Sequence, residues 1–224
     1  PGYCIDEVST NAVGLFLACA RQLTAYDRST TGGEWDWEVG RPIHRLDGQT
    51  LGLLAFGDIA RRTARKLDGF GLELLAHDPY VPESAFEDSG VQPVSFDELV
   101  ERSDHLSIHA PLTAETRNLV DASVIERLPE HAVVVNHGRG GIVDESALLA
   151  ALYDGSIAAA GLDVLEEEPP SDPAILEHER TIVTPHSAWY SEESLREVVE
   201  TVAEDVIRVL EGQPPEHPVE ADWE

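Results

Sequence analysis

The sequence predicts an α/β fold with a doubly wound parallel sheet, on the strength of two observations. From residue 50 onward, short apolar runs typical of buried strands alternate with segments of helical periodicity. The stretch TLGLLAFGDIARRTARKLDGFGLELLAHDPY, at 50–80, has the order strand, tight turn, helix, strand and then an acid. That order is how a dinucleotide-binding unit is built, with helices covering both faces of the sheet.

The elements follow in order along the chain. A pattern at 6–23 that is apolar nearly all round predicts a buried helix, and Gly and Pro residues predict a loop at 31–49. Strands are predicted at 50–55, 72–77, 104–109, 132–136, 158–164 and 180–184. Helices are predicted between them at 58–68, 96–101, 121–127 and 145–153.

A long helix closes the pattern. Ser191 can cap it, and Gly212 can end it. Its apolar positions form one broad face, made of Leu195, Val198, Val199, Val202, Val206, Val209 and Leu210. The simplest expectation for this face is packing against the preceding domain.

The charge balance is extreme, with 43 Asp and Glu against 15 Lys and Arg and a formal net charge of −28. Such a surface repels phosphate backbones, so nucleic acid is not expected as a direct partner. The acidic residues are spread along the chain and the hydrophobic content is 42%, which predicts a folded protein. We expect adaptation to high salt, where counterions screen the self-repulsion, with an ordinary acidic enzyme as the alternative.

Other composition features limit the classes of protein. No apolar run approaches the length of a membrane span, and the N-terminus lacks the pattern of a signal peptide. Cys4 and Cys19 form no CxxC, which favours a reducing cytoplasm over a disulfide framework. His105 and His109 lie in a strand pattern, so no metal site is expected. The chain has no methionine and begins at Pro1, so we expect it to be part of a longer protein.

The predicted first turn departs from GxGxxG, because its three glycine positions hold Ala55, Gly57 and Ala60. Alanine is accepted at the third position, but at the first it restricts the turn. Asp78 follows at the place where an acid accepts hydrogen bonds from an adenosine ribose. Asp58 would sit near the pyrophosphate or simply satisfy the helix N-terminus. The turn alone leaves a dinucleotide site and a purely structural unit as equal alternatives.

Three later segments carry groups suited to one chemistry. Arg139, Glu168 and His186 each follow a different predicted parallel strand, so all three would lie at the carboxyl edge of the sheet. An arginine can bind the carboxylate and carbonyl of a 2-oxo acid. A histidine can donate the proton that the carbonyl oxygen needs as hydride reaches the carbon. A nearby carboxylate would favour the protonated imidazole.

These motifs carry a resemblance to a known family. NHGRGGIVDE, LDVLEEEP and TPHSAWYSE, in that order, resemble the D-isomer-specific 2-hydroxyacid dehydrogenases, whose members include phosphoglycerate, glyoxylate and hydroxypyruvate dehydrogenases. PHSAWYSE is most similar to the C-terminal binding proteins, a branch that includes transcriptional corepressors. The resemblance covers nearly the whole chain. It implies a Rossmann-type NAD-binding domain at 1–188 and a helix and tail at 189–224 that return to a substrate lobe absent from this chain.

The resemblance also implies roles for single residues. Arg139 would bind substrate, Glu168 would support the histidine, and His186 would be the acid/base. The implied NAD-binding residues are Phe56, Gly57, Asp58, Ile59, Asp78, Ala110, Pro111, Thr116, His137, Gly138 and Asp163. Trp189 would reach the substrate pocket. The departures are Ala55, and His137 with Gly138, where small residues are usual.

The resulting functional expectation is hydride transfer between NAD(H) and a small 2-oxo acid or D-2-hydroxy acid, by a cytoplasmic homodimer. The alternative is a nicotinamide-sensing dimeric scaffold of the C-terminal binding protein type without significant turnover. The intact Arg, Glu and His set favours the enzyme. The sequence does not name the substrate.

Overall fold

The computed structural model describes residues 2–218, and within them the chain forms a seven-stranded sheet in which all neighbouring strands are parallel. The strands are β1 (Thr50–Leu54), β2 (Glu73–His77), β3 (Val91–Pro93), β4 (His105–Ile108), β5 (Val133–Asn136), β6 (Ala159–Leu162) and β7 (Thr181–Val183). Their spatial order is β3-β2-β1-β4-β5-β6-β7. The predicted doubly wound parallel fold is confirmed.

Helices connect these strands. They are α1 (Ile5–Ala20), α2 (Leu23–Thr31), α3 (Asp58–Lys66), α4 (Phe96–Arg102), α5 (Ala122–Ile125), α6 (Glu145–Asp154), α7 (Ala174–Glu177) and α8 (Glu192–Leu210). In the part of the chain that the structure describes, none of them is both long and apolar enough to cross a membrane.

The sheet divides the core into two layers, because successive side chains of a strand point to opposite faces. The layer beneath α1 and α3 includes Leu15, Phe16, Leu51, Leu53, Ala60, Ala64, Val133 and Val135. The layer beneath α4, α5 and α6 includes Leu99, Leu106, Ile108, Val124, Val134, Leu148 and Leu152. Each fully buried aliphatic side chain stabilises the fold by about 2 kcal/mol. A sheet covered on both faces leaves its strand ends as the place for a site.

The strand order reverses between β1 and β4, which are neighbours in the sheet although β2 and β3 intervene in sequence. A crevice opens at the carboxyl ends of the strands at such a switch point. The segments that follow β1 and β4 border it directly.

Two elements differ from the sequence prediction. The helical region at the N-terminus is interrupted at Gln22, whose φ of 52° is left-handed. It then continues as α2 beyond the predicted end at 23 and reaches Thr31, the first residue of the predicted loop. The residues of α2 are largely polar, so they lack the apolar periodicity that would predict a helix. The short edge strand β3 was not predicted, because three residues ending in Pro93 carry little strand signal.

The helix α8 agrees with prediction in its limits and its Ser191 cap, which accepts a hydrogen bond from the Ser194 amide. The expected packing of its apolar face against the domain is wrong. Within residues 2–218, α8 packs extensively on no other helix or strand, and Ser194 is its buried residue. The exposed apolar side chains of this helix are Leu195, Val199, Val202, Val206, Ile207, Val209 and Leu210.

Candidate active site

The segments that follow the strands meet at the carboxyl edge of the sheet. A Cβ on Gly138, after β5, would lie 2.4 Å from the carbonyl oxygen of Ala110, after β4. A Cβ on Gly140 would lie 1.9 Å from the carbonyl carbon of Leu165, after β6. Glycines at these two positions therefore allow three neighbouring loops to touch through their backbones.

The β1–α3 turn keeps a glycine-like geometry although its first position is alanine. Ala55 has a φ of 75°, in the left-handed region. Phe56 is fully buried and stacks on Phe86, with ring centroids 4.4 Å apart. Gly57 is exposed, and a Cβ added there would meet no atom within 4 Å. The turn therefore leaves open space in front of the backbone of Gly57.

Backbone amides at the start of α3 face this space. Gly57 precedes the helix without a side-chain cap, so the first amides of α3, including those of Asp58 and Ile59, have no capping acceptor. The Asp58 carboxylate instead lies 2.7 Å from the guanidinium of Arg61, which offsets its charge. The turn can therefore accept a phosphate despite the acid at its edge.

Asp78 braces this turn. Its Oδ2 accepts a hydrogen bond of 2.8 Å from the Phe56 amide, and its Oδ1 accepts one of 2.9 Å from the Tyr80 amide. Each carboxylate oxygen has a second lone pair, so a ribose hydroxyl can still donate to it.

The loop after β4 is closed by Thr116. The hydroxyl of Thr116 donates to the carbonyl of Pro111 at 2.6 Å and accepts from the Thr113 amide at 2.8 Å. Ala110 is buried against Gly138. Ala110, Pro111 and Thr116 thus lie together at the crevice, and their contact with a cofactor stays a prediction.

The turn that carries Arg139 is held by Asn136, a residue that the sequence reasoning missed. Asn136 is buried at the end of β5. Its side chain accepts from the Gly138 amide and donates to the Arg139 carbonyl, both at 3.0 Å. The signal available was a polar residue ending an otherwise apolar strand, directly before the arginine. The Arg139 side chain is exposed at the edge and donates to its neighbour's carbonyl at 2.7 Å.

Glu168 and His186 are paired, as the resemblance implied. Nδ1 of His186 lies 2.8 Å from Oε2 of Glu168, and Oε1 of Glu168 accepts from the Leu165 amide at 3.0 Å. Burial raises the pKa of the Glu168 carboxyl. The hydrogen bonds from His186 and Leu165 and the charge of nearby Arg139 outweigh that effect and hold the pKa below its ordinary value. The structure therefore brings all three predicted catalytic residues into one neighbourhood.

The His186 backbone is strained and supported by Asp163. His186 has a φ of 51°, which a non-glycine residue adopts only when its surroundings fix it. The carbonyl of Asp163 accepts from the His186 amide at 2.9 Å. Its buried carboxylate accepts from the Thr184 hydroxyl and from the amides of Ser187 and Ala188. Asp163 thus anchors the histidine loop, and its predicted cofactor contact stays a prediction.

His137 lies buried beneath α1. Its Nε2 lies 2.8 Å from Oδ1 of Asn11, and its ring stacks with that of His109 at a centroid distance of 6.3 Å. Among the described residues, Nδ1 of each of these two histidines has no hydrogen-bond partner. Burial lowers the pKa of His137 to about 4, so its ring is neutral at physiological pH. The imidazole therefore adds no charge beside the crevice.

A cavity of about 380 Å³ opens beside Glu168 and His186, with Leu176 and several prolines in its wall. Trp189 lies three residues after His186 and is half-buried. Its ring is edge-on to that of Tyr190, with centroids 5.8 Å apart, and its contact with substrate stays a prediction. A larger groove, of about 650 Å³, lies between α2 and the segments that precede β5, β6 and β7. It is at the opposite edge of the sheet and is not part of this site.

Comparison with known proteins identifies the family of this chain. The family described as "D-isomer specific 2-hydroxyacid dehydrogenase, NAD binding domain" matches residues 13–188. The chain belongs to this family. Among its curated relatives, the chain is 38% identical over 208 residues to the D-3-phosphoglycerate dehydrogenase of Methanocaldococcus jannaschii. That match covers 92% of this chain and 40% of the relative. It is 34% identical over 220 residues to the glycerate dehydrogenase of Methylorubrum extorquens, covering 95% of this chain and 68% of the relative.

Among solved structures, the chain is similar to the D-lactate dehydrogenase of Lactobacillus jensenii with NAD+, with a TM-score of 0.89 and 26% identity. That match covers 98% of this chain and 70% of the other. The chain thus spans less than half of the phosphoglycerate dehydrogenase and about two thirds of the shorter dehydrogenases. The resemblance to the dehydrogenase family is confirmed. The open, uncapped turn at Gly57 leaves room and backbone amides for the pyrophosphate of NAD.

Proposed function

We propose that this chain provides the cofactor site and the catalytic residues of an enzyme that transfers a hydride between NAD(H) and a small 2-oxo acid, giving a D-2-hydroxy acid. The observation that carries the proposal is the Glu168–His186 pair of 2.8 Å beside Arg139, at the carboxyl edge of the sheet. The named relatives act on acids of this class.

Each of the three side chains has a distinct role in the proposal. Arg139 binds the carboxylate and carbonyl of the 2-oxo acid. Nδ1 of His186 faces Glu168, so Nε2 is the nitrogen that gives a proton to the carbonyl oxygen. Glu168 orients the imidazole and stabilises its protonated form. NADH, when bound, supplies the hydride, and we propose that Gly57, the first amides of α3 and Asp78 hold its pyrophosphate and ribose.

The test is NADH oxidation with a panel of small 2-oxo acids in molar KCl, using the protein at the length that its gene encodes. Turnover with at least one acid is expected. His186→Ala should lower kcat by ~10²–10⁴ and leave NADH affinity nearly unchanged. His217→Ala is the matched control, since His217 also faces a carboxylate, that of Asp205, outside the site. NADH binding without turnover across the panel would contradict the proposal and fit the nicotinamide-sensing scaffold.

We also propose that residues 1–188 form the NAD-binding domain and that 189–224 belong with a substrate lobe. The family match ends at residue 188, and α8 lacks close packing in the described part of the chain. Its apolar face is the surface that such a lobe would cover.

We also propose that the protein is a homodimer in the cytoplasm. Trp35 is 94% exposed and Trp37 is 68% exposed, on a segment that follows α2, and a partner copy could bury both rings. Cys4 and Cys19 are free cysteines, which supports the proposal of a reducing compartment. Light scattering of the wild type and of a Trp35→Ser, Trp37→Ser variant tests the dimer, which the variant should weaken.

A further inference from the structure

The arginine and glutamate of the candidate site lie on two loops that touch through their backbones. Gly140 directly follows Arg139, and a Cβ there would lie 1.9 Å from the Leu165 carbonyl carbon and 2.2 Å from the Glu166 amide nitrogen. Those obstacles are backbone atoms, which cannot rotate away. The distance between the Arg139 turn and the segment 165–168 is therefore fixed by direct contact.

A second contact holds the same segment from α6. The carboxylate of Glu145, the first residue of α6, accepts a hydrogen bond from the Glu166 amide. The preceding amide, that of Leu165, donates to Glu168 at 3.0 Å. Two successive amides of one segment thus bind two different carboxylates. Glu145 fixes the segment, and the segment in turn fixes Glu168 against His186.

The surroundings of Glu145 show that a helix-capping role does not explain it. Asp144 already caps α6, because its carboxylate accepts from the Ala147 amide at 3.0 Å. Burial raises the pKa of Glu145, and the charges of Glu166 and Glu168 raise it further, while the hydrogen bond from the Glu166 amide opposes the shift. A half-buried carboxylate beside two other carboxylates is unfavourable, and the hydrogen bond from the Glu166 amide offsets part of that cost.

We propose that Glu145 is a positioning residue for the reaction. By binding the Glu166 amide it sets Glu168 against His186, and the backbone contact at Gly140 keeps this pair at a fixed distance from the Arg139 turn. The inference rests on the proposed function for its kinetic readout. It assigns no contact between Glu145 and the substrate, so Glu145 acts only through Glu168.

The kinetic test is a double-mutant cycle. Glu145→Ala should lower kcat by ~10–10², because displacing a reacting group by about 1 Å can have that effect. Glu145→Gln keeps an oxygen that can accept from the Glu166 amide and should retain most of the activity. In a Glu168→Ala background, adding Glu145→Ala should change kcat by no more than about twofold, because coupled positions are not additive. An undiminished loss in that background would overturn the inference.

The controls separate positioning from folding. Ser146→Ala alters the next, exposed residue of α6 and should change neither kcat nor stability. Urea midpoints of every variant show whether the fold is retained. If Glu145→Ala does not fold, Glu145→Asp replaces it, because the shorter side chain moves the anchor while keeping the charge. Wild-type kcat in a folded Glu145→Ala variant would overturn the inference. If only Glu145→Asp folds, wild-type kcat in that variant would overturn it.

A readout without turnover distinguishes failure of this inference from failure of the proposed function. Absence of turnover in the wild type would reject the proposed function alone. Nitrogen NMR of the histidine rings then decides the role of Glu145. Glu145→Ala should shift the His186 ring signals and expose the Glu166 amide to hydrogen exchange, whereas Glu145→Gln should do neither. Unchanged His186 signals in Glu145→Ala would overturn the inference.

Discussion

Ala55 shows how a single residue can depart from a motif while the motif's geometry persists. The sequence indicated that alanine would restrict the first turn, yet the turn keeps the left-handed φ of 75° that glycine would adopt. The surrounding contacts hold it there, since the Ala55 amide donates to the His77 carbonyl and the Phe56 amide to Asp78. Alanine in this conformation stores strain in the turn.

The first prediction concerns that strain. Ala55→Gly should raise the free energy of unfolding by up to about 1 kcal/mol, because the left-handed penalty of about 1–2 kcal/mol exceeds the entropy that glycine loses on folding. Urea unfolding in molar KCl measures it. Ala147→Gly, within the helix α6, is the control and should lower stability by about 1 kcal/mol. A loss at both positions would mean that Ala55 is unstrained.

Asp78 should determine cofactor choice. Its carboxylate repels a 2′-phosphate and accepts ribose hydroxyls, so NADH should bind more tightly than NADPH in fluorescence titrations. Asp78→Ala should narrow the preference and also weaken NADH, since the variant loses the acceptor of the Phe56 amide. Asp58→Asn is the control, because its position near the pyrophosphate should change both affinities by similar factors. Equal or tighter NADPH binding by the wild type would reject this assignment.

Buried histidines should make the protein sensitive to acid. Burial lowers the pKa of His105 and of His137 to about 4 each, below the unfolded value of 6.5. The unfolded chain therefore binds more protons between pH 6.5 and 4, so their stabilisation is full above pH 6.5 and declines as the pH falls. At about 1.4 kcal/mol per pKa unit, His137 accounts for a decline on the order of 3 kcal/mol. His137→Gln should flatten that decline in urea unfolding; an unchanged slope would contradict the prediction.

The elements were predictable where one local pattern was sufficient. The apolar runs predicted six of the seven strands and the loops after them, because buried parallel strands need continuous apolar side chains. The edge strand β3 and the polar helix α2 carry no such pattern. The path of α8 was not predictable from its apolar face, because the same face fits packing on this domain or on another surface.

The exposed face of α8 makes a direct prediction for the 224-residue chain. Val199→Gln with Val206→Gln should change the free energy of unfolding by no more than about 0.5 kcal/mol, because both side chains already face solvent. Leu148→Ala, a fully buried position on α6, is the control and should lose about 2–5 kcal/mol. A comparable loss in the α8 variant would show that its face is packed.

At the scale of the whole molecule, the site could be predicted because parallel strands bring their carboxyl ends to one edge. Arg139, Glu168 and His186 were placed together by that rule and by the order of their motifs. The supports were not predictable. Glu145 and the carboxylate of Asp163 bind backbone amides of other loops, and such contacts leave no sequence pattern. Asn136 binds within its own turn, and its one signal was a polar residue at the end of an apolar strand.

The net charge of −28 is a property of the whole chain, and it predicts a response to salt. The free energy of unfolding should rise strongly from low to molar KCl as the self-repulsion is screened. Thermal melting across that range measures it. An uncharged osmolyte at the same osmolality is the control, because it strengthens burial without screening charge. A melting temperature that stays flat in KCl would reject salt adaptation as the reason for the acidity.

Salt should stabilise the fold of each molecule but, because of the apolar face of α8, should make the molecules in a solution more prone to associate. In dilute buffer, long-range repulsion between equally charged copies keeps their α8 faces apart. Molar salt removes that repulsion and favours contact between apolar surfaces, so the osmotic second virial coefficient should turn from positive to negative. The salt concentration at which each molecule is most resistant to unfolding is therefore higher than the concentration at which a solution of many molecules stays monodisperse.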